Sequence, residues 1–223
     1  MIVAFDIDDT LVKEREFCLS GFRAVAAMVC RTVGSDVITP EKIVSAMAEA
    51  LSKRENHYQA LEELLRLRCL TDSIDMAAVV GTCRNHPPTF TEATVRRAQS
   101  MVSEVISRGF IPAIISDGRT VTQRNKLKGL GIIDMFSPSD ILISTEQGAD
   151  KREALMFRRL MNLHPEENLF VYVGDNTSKD FTWPRRLGWK TVGLRDTDDT
   201  NIHPQTLDVP PENLPDLWID YRL

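Results

Sequence analysis

Four apolar residues, Ile2-Val3-Ala4-Phe5, run without a break into Asp6-Ile7-Asp8-Asp9-Thr10. A short apolar run that stops at charge reads as a strand buried on both faces, ending at the edge of a parallel sheet. In open α/β sheets, ligands bind at that edge, outside the carboxyl ends of the strands. Asp6 and Asp8 stand two residues apart there. One carboxylate of such a pair can act as nucleophile while the other handles a proton, and both can help to hold a divalent cation.

The rest of the chain repeats the pattern from about residue 88. A helix is predicted over 90–108, with Val95, Ala98, Val102, Val105 and Ile106 on one face and Gly109 closing it. A buried strand follows over 110–116, with Pro112 near its start. Then come a helix around 123–128 that ends at Gly129 or Gly131, a strand over 140–144, and a helix over 151–163 offering Leu155, Phe157, Leu160 and Met161 to a core. A strand over 168–173 ends at Gly174-Asp175. A helix over 178–187 is shortened or kinked by Pro184, and a strand over 190–194 completes the series. Such alternation predicts an α/β fold: a Rossmann-like parallel sheet with helices on both faces, the first strand included.

Residues 15–87 break the alternation. They read as helices only, over 19–33, 40–53, 57–70 and 74–84, the second opened by Thr39-Pro40-Glu41 as a capping residue followed by Pro at the first helical position. An all-helical block between the first and second strands of a parallel sheet is best read as an inserted cap. The expected domains are therefore an α/β catalytic core over 1–14 and 88–223 and a helical cap over 15–87, with Pro87-Pro88 marking the return. From about Asp196 the chain reads as loop, with Leu214-Pro215-Asp216-Leu217-Trp218 docking back on the core.

With 43% hydrophobic and 26% charged residues, the chain reads as soluble and globular. Its net charge of -5 gives no reason to expect nucleic acid or an acidic membrane as partner. No apolar run is long enough to span a bilayer. The N-terminus enters the first strand directly, so no signal peptide is expected. Cys18, Cys30, Cys69 and Cys83 form no C-x-x-C pair and read as reduced packing residues, which makes the cytoplasm the default compartment. His57, His86, His164 and His203 show no pairing and are expected to do no chemistry.

Each chemical candidate follows a predicted strand or opens a helix. Asp6 and Asp8 follow the first strand, and Ser116 follows Ile114-Ile115. Lys151 opens a predicted helix, and Asp175 and Asp180 follow Tyr172-Val173-Gly174. Taken singly, Lys151 reads more readily as a solvated first-turn lysine, Ser116 as a strand-end turn residue, and Asp180 as an acid favoured at a helix N-terminus. Asp9, Asp117 and Asn176 read as loop or supporting residues.

Taken together, the segments resemble the haloacid dehalogenase superfamily of hydrolases. Asp6-Ile7-Asp8-Asp9-Thr10 matches its first motif, D-x-D-x-T. Ser116 matches the second, Lys151 the third, and Gly174-Asp175-Asn176-Thr177-Ser178-Lys179-Asp180 the fourth, G-D-x-x-x-x-D. The resemblance covers nearly the whole chain outside the helical block, which is similar to the caps that follow the first motif in the phosphatase branch. It implies Asp6 as the nucleophile that forms an aspartyl-phosphate, and Asp8 as the acid and then base. Ser116 is implied as a hydrogen-bond donor to the phosphoryl group and Lys151 as its positive neighbour. It further implies Mg²⁺ held by Asp6, Asp175 and the backbone carbonyl of Asp8, with Asp180 behind them orienting metal-bound water. Dehalogenases and phosphonate hydrolases lack the acid at position 8, so Asp8 points to phosphate esters. Asp9 stands where many relatives carry Gly, although related phosphatases also carry Asp there. The expected function is that of a Mg²⁺-dependent phosphomonoesterase acting on a small phosphorylated metabolite, a nucleotide or sugar phosphate. A phosphosugar mutase of the same superfamily and a catalytically silent binding module are the alternatives.

Overall fold

The computed structural model describes residues 1–221. In chain order, β1 (Ile2–Phe5) is followed by α1 (Glu14–Val33), α2 (Pro40–Ser52), α3 (His57–Arg66), α4 (Met76–Asn85) and α5 (Glu92–Ser107). Then come β2 (Ile111–Ser116), α6 (Thr120–Gly129), β3 (Ile141–Ile143), α7 (Ser144–Gln147), α8 (Leu155–Leu163), β4 (Phe170–Gly174), α9 (Thr182–Arg186), β5 (Lys190–Arg195) and β6 (Leu217–Asp220). The chain divides into two compact units, one of Met1–Glu14 with Phe90–Leu223 and one of Arg15–Thr89.

The first unit is built on a six-stranded parallel sheet in the order β3-β2-β1-β4-β5-β6. β1 lies inside it, with Ile2 paired to Ile111 on one side and to Phe170 on the other. The period of two then divides its side chains between two cores. Val3 and Phe5 join Ala98 and Val102 of α5, Ile114, and Leu127 of α6. Ile2 and Ala4 join Ala113, Ile115, Met156, Phe157 and Leu160 of α8, and Trp189. Helices therefore cover both faces. Strand order reverses between β1 and β4, which is where an open α/β sheet opens a crevice for ligand.

The second unit is all helical. Its apolar stripes bury Phe22, Val25 and Val29 from α1, Ile43, Met47 and Leu51 from α2, Leu61 and Leu65 from α3, and Val79 and Cys83 from α4. α1 approaches α4 at Gly21, where a Cβ would stand 2.9 Å from Cys83 Sγ and 3.0 Å from its carbonyl oxygen. Pro40 starts α2, but the Thr39 side chain makes no capping hydrogen bond. No disulfide joins Cys18, Cys30, Cys69 or Cys83 among the described residues. Among the described residues, no helix is long and apolar enough to cross a membrane.

Three local readings are corrected. α3 ends at Arg66, a single 3-10 turn occupies Thr71–Ser73, and the next α-helix starts only at Met76, where the Asp75 carboxylate accepts the Ala77 N–H at 2.8 Å. α8 starts at Leu155, so Lys151 lies in the preceding turn and opens no helix. The expected shortening by Pro184 is seen, with α9 confined to the five residues Thr182–Arg186 of the 178–187 range. The tail forms a sixth strand, β6, instead of loop alone. It is joined to β5 by Asp216, which donates its N–H to the Thr191 carbonyl and accepts the Thr191 N–H and hydroxyl at 2.9 and 3.0 Å. Gly193 lets Trp218 lie against the backbone, since a Cβ there would meet its ring at 2.5 Å.

Candidate active site

The carboxyl ends of β1, β2 and β4 bring Asp6, Ser116 and Asp175 to one edge, and the turn before α8 adds Lys151. Asp6 is 3% exposed. Its Oδ1 accepts the Ile7 N–H at 2.8 Å and the Ser116 hydroxyl at 2.9 Å, and its Oδ2 lies 2.7 Å from Lys151 Nζ. Lys151 is fully buried and also lies 2.6 Å from Asp180 Oδ1. The other oxygen of Asp180 accepts the N–H groups of Asp175 and Asn176 at 3.1 and 2.8 Å. Asp180 can fold back this far because residue 174 is glycine: a Cβ there would meet its Oδ2 at 2.5 Å.

Carboxylate oxygens of Asp6, Asp175 and Asp180 lie within 4.8 Å of one another. Burial raises the proton affinity of Asp6, but the Lys151 and Lys179 ammoniums and the bonds from Lys151 and Ile7 outweigh it, so Asp6 stays below the usual carboxylate range. Asp175 is pushed well above that range, by burial and then by the charges of Asp180, Asp6 and Asp9. Burial also raises Asp180, against the pull of Lys151. Burial disfavours the charge on Lys151, yet Asp180 and Asp6 raise its pKa well above the ordinary value. One lysine therefore serves two buried acids and a third is left short of positive charge. That donor set of hard oxygens suits a divalent cation.

Asp8 is not part of this carboxylate cluster. Its side chain instead meets Lys126 Nζ and, at 2.9 Å, Gln123 Nε2. Asp9 takes a left-handed backbone, φ 51°, which explains why glycine suits the position and Asp is tolerated there. Its carboxylate accepts the Glu14 N–H at 3.1 Å, and burial with the charges of Glu14 and Asp8 pushes its pKa up to about 8. Asp117 accepts the Lys151 N–H at 3.0 Å and stands 3.4 Å from Lys179 Nζ. These groups surround a cleft of about 140 Å³ lined by Asp6, Asp8, Glu14, Asp175, Lys179 and His203, among others.

Sequence reasoning did not single out Gln123, Lys126, Lys179, Asn201 or Gln205. Asn201 is 3% exposed and donates to Asp175 Oδ2 at 2.9 Å, while its own oxygen meets Lys13. Gln205 donates to the carbonyls of Asp175 and Leu194 at 2.7 and 2.9 Å. The segment after β5 thus braces Asp175. The polar pair Gln123 and Lys126, three residues apart on a helix just after a motif, was the available signal. The histidines have structural partners that the sequence did not show. His164 pairs with Asp140 at 2.8 Å, His86 meets the Cys83 carbonyl at 2.7 Å, and His203 lines the cleft.

A family model for haloacid dehalogenase-like hydrolases matches residues 3–194. The chain belongs to this family. Within it, the chain is 28% identical over 203 residues to the glyceraldehyde 3-phosphate phosphatase of Methanocaldococcus jannaschii, covering 86% of this chain and 83% of that one. It is 33% identical over 125 residues to the phosphoserine phosphatase of Thermus thermophilus, covering 55% of this chain and 45% of that one. Among solved structures, this haloacid dehalogenase-like hydrolase is similar in fold to YfnB from Bacillus subtilis, solved bound to magnesium. The TM-score is 0.57 at 17% identity, over 98% of this chain and 93% of that one.

Proposed function

We propose that this hydrolase cleaves the phosphomonoester of a small metabolite through an aspartyl-phosphate on Asp6, with Mg²⁺ as its cation. At the level of class, the chain is a hydrolase of phosphoric monoesters. The observation that carries the finer reading is the state of Asp6. It is buried and ionised, held by Ser116, Ile7 N–H and Lys151, with two further buried carboxylates beside it. A phosphate dianion does not approach such a cluster without added positive charge.

Asp6 and Asp175 would hold the cation with the Asp8 carbonyl, and Asp180 would support them from behind. When bound, the cation neutralises charge on the phosphoryl oxygens and the acids. Asp6 attacks phosphorus, and Asp8, which must be protonated in the substrate complex, gives that proton to the leaving oxygen. Asp8 then takes a proton from the water that cleaves the aspartyl-phosphate, returning both carboxylates to their starting states. Ser116 and Lys151 fix Asp6 during both steps and are placed to receive phosphoryl charge. A cleft of about 140 Å³ suits a phosphoryl group and little more. Choice of the organic portion therefore falls to residues outside this cleft.

The glyceraldehyde 3-phosphate and phosphoserine phosphatases among its relatives support a small phosphorylated substrate. YfnB, solved with magnesium, supports the cation. The test is phosphate release from a panel of sugar phosphates, triose phosphates, phosphoamino acids and nucleotides, with Mg²⁺ and with chelator. The expected result is release that requires both Mg²⁺ and an intact Asp6. Equal release from Asp6→Asn, or release unaffected by chelator, refutes the mechanism.

A further inference from the structure

We propose that Gln123 and Lys126 are positioning residues for Asp8, a clamp that aims its carboxylate at the leaving oxygen. The inference rests on the phosphatase reading of Asp8 and extends it to residues outside the four motifs.

Both side chains come from α6, three residues apart and so on one face. Lys126 is 2% exposed and Gln123 is 1% exposed. The Lys126 ammonium meets Asp8 Oδ1, and Gln123 Nε2 donates to Asp8 Oδ2 at 2.9 Å, so each oxygen has its own donor. The same Nε2 lies 3.1 Å from Ser116 Oγ and 2.6 Å from the Asp117 carbonyl, which ties the clamp to the donor that holds Asp6. Gln123 Oε1, by contrast, is buried and accepts no hydrogen bond among the described residues. The amide is therefore seated for its donors.

Gly118 makes room for this amide. With φ +140° it lies so close that a Cβ would stand 2.8 Å from Gln123 Nε2 and 3.1 Å from its Cγ and Cδ. Ser116 and Gly118 seat Gln123, and Gln123 and Lys126 together converge on Asp8.

Lys126 is buried but Asp8 is 23% exposed, and an ion pair with one partner near solvent adds little to stability. Its physical use here is orientation. A carboxylate has about four acceptor sites, so one donor on each oxygen still leaves a lone pair on each for the proton being moved. A free aspartate samples several rotamers, and proton transfer requires hydrogen-bond reach of the leaving oxygen. Two donors in fixed positions remove that search.

The experiment compares kcat/KM of wild type, Lys126→Met and Gln123→Met on two probes. One is the best alkyl phosphate of the panel, whose alkoxide needs a proton to leave. The other is p-nitrophenyl phosphate, whose phenolate leaves without one. Lys126→Met is expected to lose about 10- to 100-fold on the alkyl ester and less than about threefold on p-nitrophenyl phosphate, the pattern of impaired general acid catalysis. In an Asp8→Asn background the same substitution should cost nothing further, because the two residues act as one unit. Gln123→Met carries the same test through the other oxygen if Lys126→Met does not fold. Equal losses on both esters, or losses that add in the Asp8→Asn background, overturn the clamp while leaving the phosphatase reading intact. A folded wild type inactive on both esters overturns that reading and the clamp with it.

Discussion

Replacing Gly174 by Ala probes how Asp180 is held. The added Cβ would stand 2.5 Å from Asp180 Oδ2, 2.9 Å from its Cγ and 3.1 Å from its Cβ. The end of a flexible side chain usually swings aside at little cost, but this one is fixed on every side. Asp180 is fully buried, its Oδ2 receives two backbone N–H groups, and its Oδ1 lies 2.6 Å from Lys151 Nζ. Displacing it breaks a buried ion pair, worth about 3–5 kcal/mol when one partner is lost. The same movement strands two backbone donors, a cost of roughly 1–3 kcal/mol each if they find no other partner. Against this stands the gain from Gly to Ala in a strand, about 0.5–1 kcal/mol. The terms overlap because one displacement causes them all, so the net expectation is a loss of about 3–5 kcal/mol. Urea unfolding followed by circular dichroism measures it, as a lower midpoint at unchanged slope. The same variant should need more Mg²⁺ for phosphate release, since Asp180 also orders the Asp175 backbone. An unfolding free energy within about 0.5 kcal/mol of wild type, the range of an ordinary surface change, would refute the packing argument.

Asn201→Ala should raise the Mg²⁺ concentration needed for half-maximal phosphate release by about 10-fold, the lower end for partners that orient a ligand. An unchanged requirement would show that the Asn201 bond to Asp175 is not used. His57 titrates below its usual 6.5, first because of burial and then because of Arg84. The unfolded chain then binds this proton more readily than the folded one, so the contribution is intact above about 6.5 and is lost as pH falls below it. His57→Gln should remove that part of the slope in urea midpoint between pH 7 and 5, and an identical slope in both proteins would contradict the assignment.

Much of the architecture was legible because it depends on local chemistry. An apolar run of four residues is long enough to cross a sheet and too short for a helix, which identifies β1. Pro184 shortens α9 because its ring and missing N–H obstruct the turn before it. β6 was not legible for a related reason. It is an edge strand with Leu217 56% exposed, so it carries no buried run, and its place is set by Asp216 and Trp218 meeting β5. The turn that carries Lys151 was hidden as well, because 151–154 have a composition that a helix would also accept.

The sequence by itself determined the first five strands, most of the helices, and that Asp6, Ser116 and Asp175 emerge at strand ends. Those outcomes follow from periodicity, from turn residues, and from a parallel sheet having one carboxyl edge. Only the tertiary structure decided that Lys126 and Gln123 face Asp8, that Asn201 braces Asp175, and that Lys151 stands between Asp6 and Asp180. These partners lie 26 to 145 residues apart in the chain, and a polar side chain in a helix or loop carries no local mark of the charge it will meet. The desolvation that makes each contact matter exists only once the two segments have packed together.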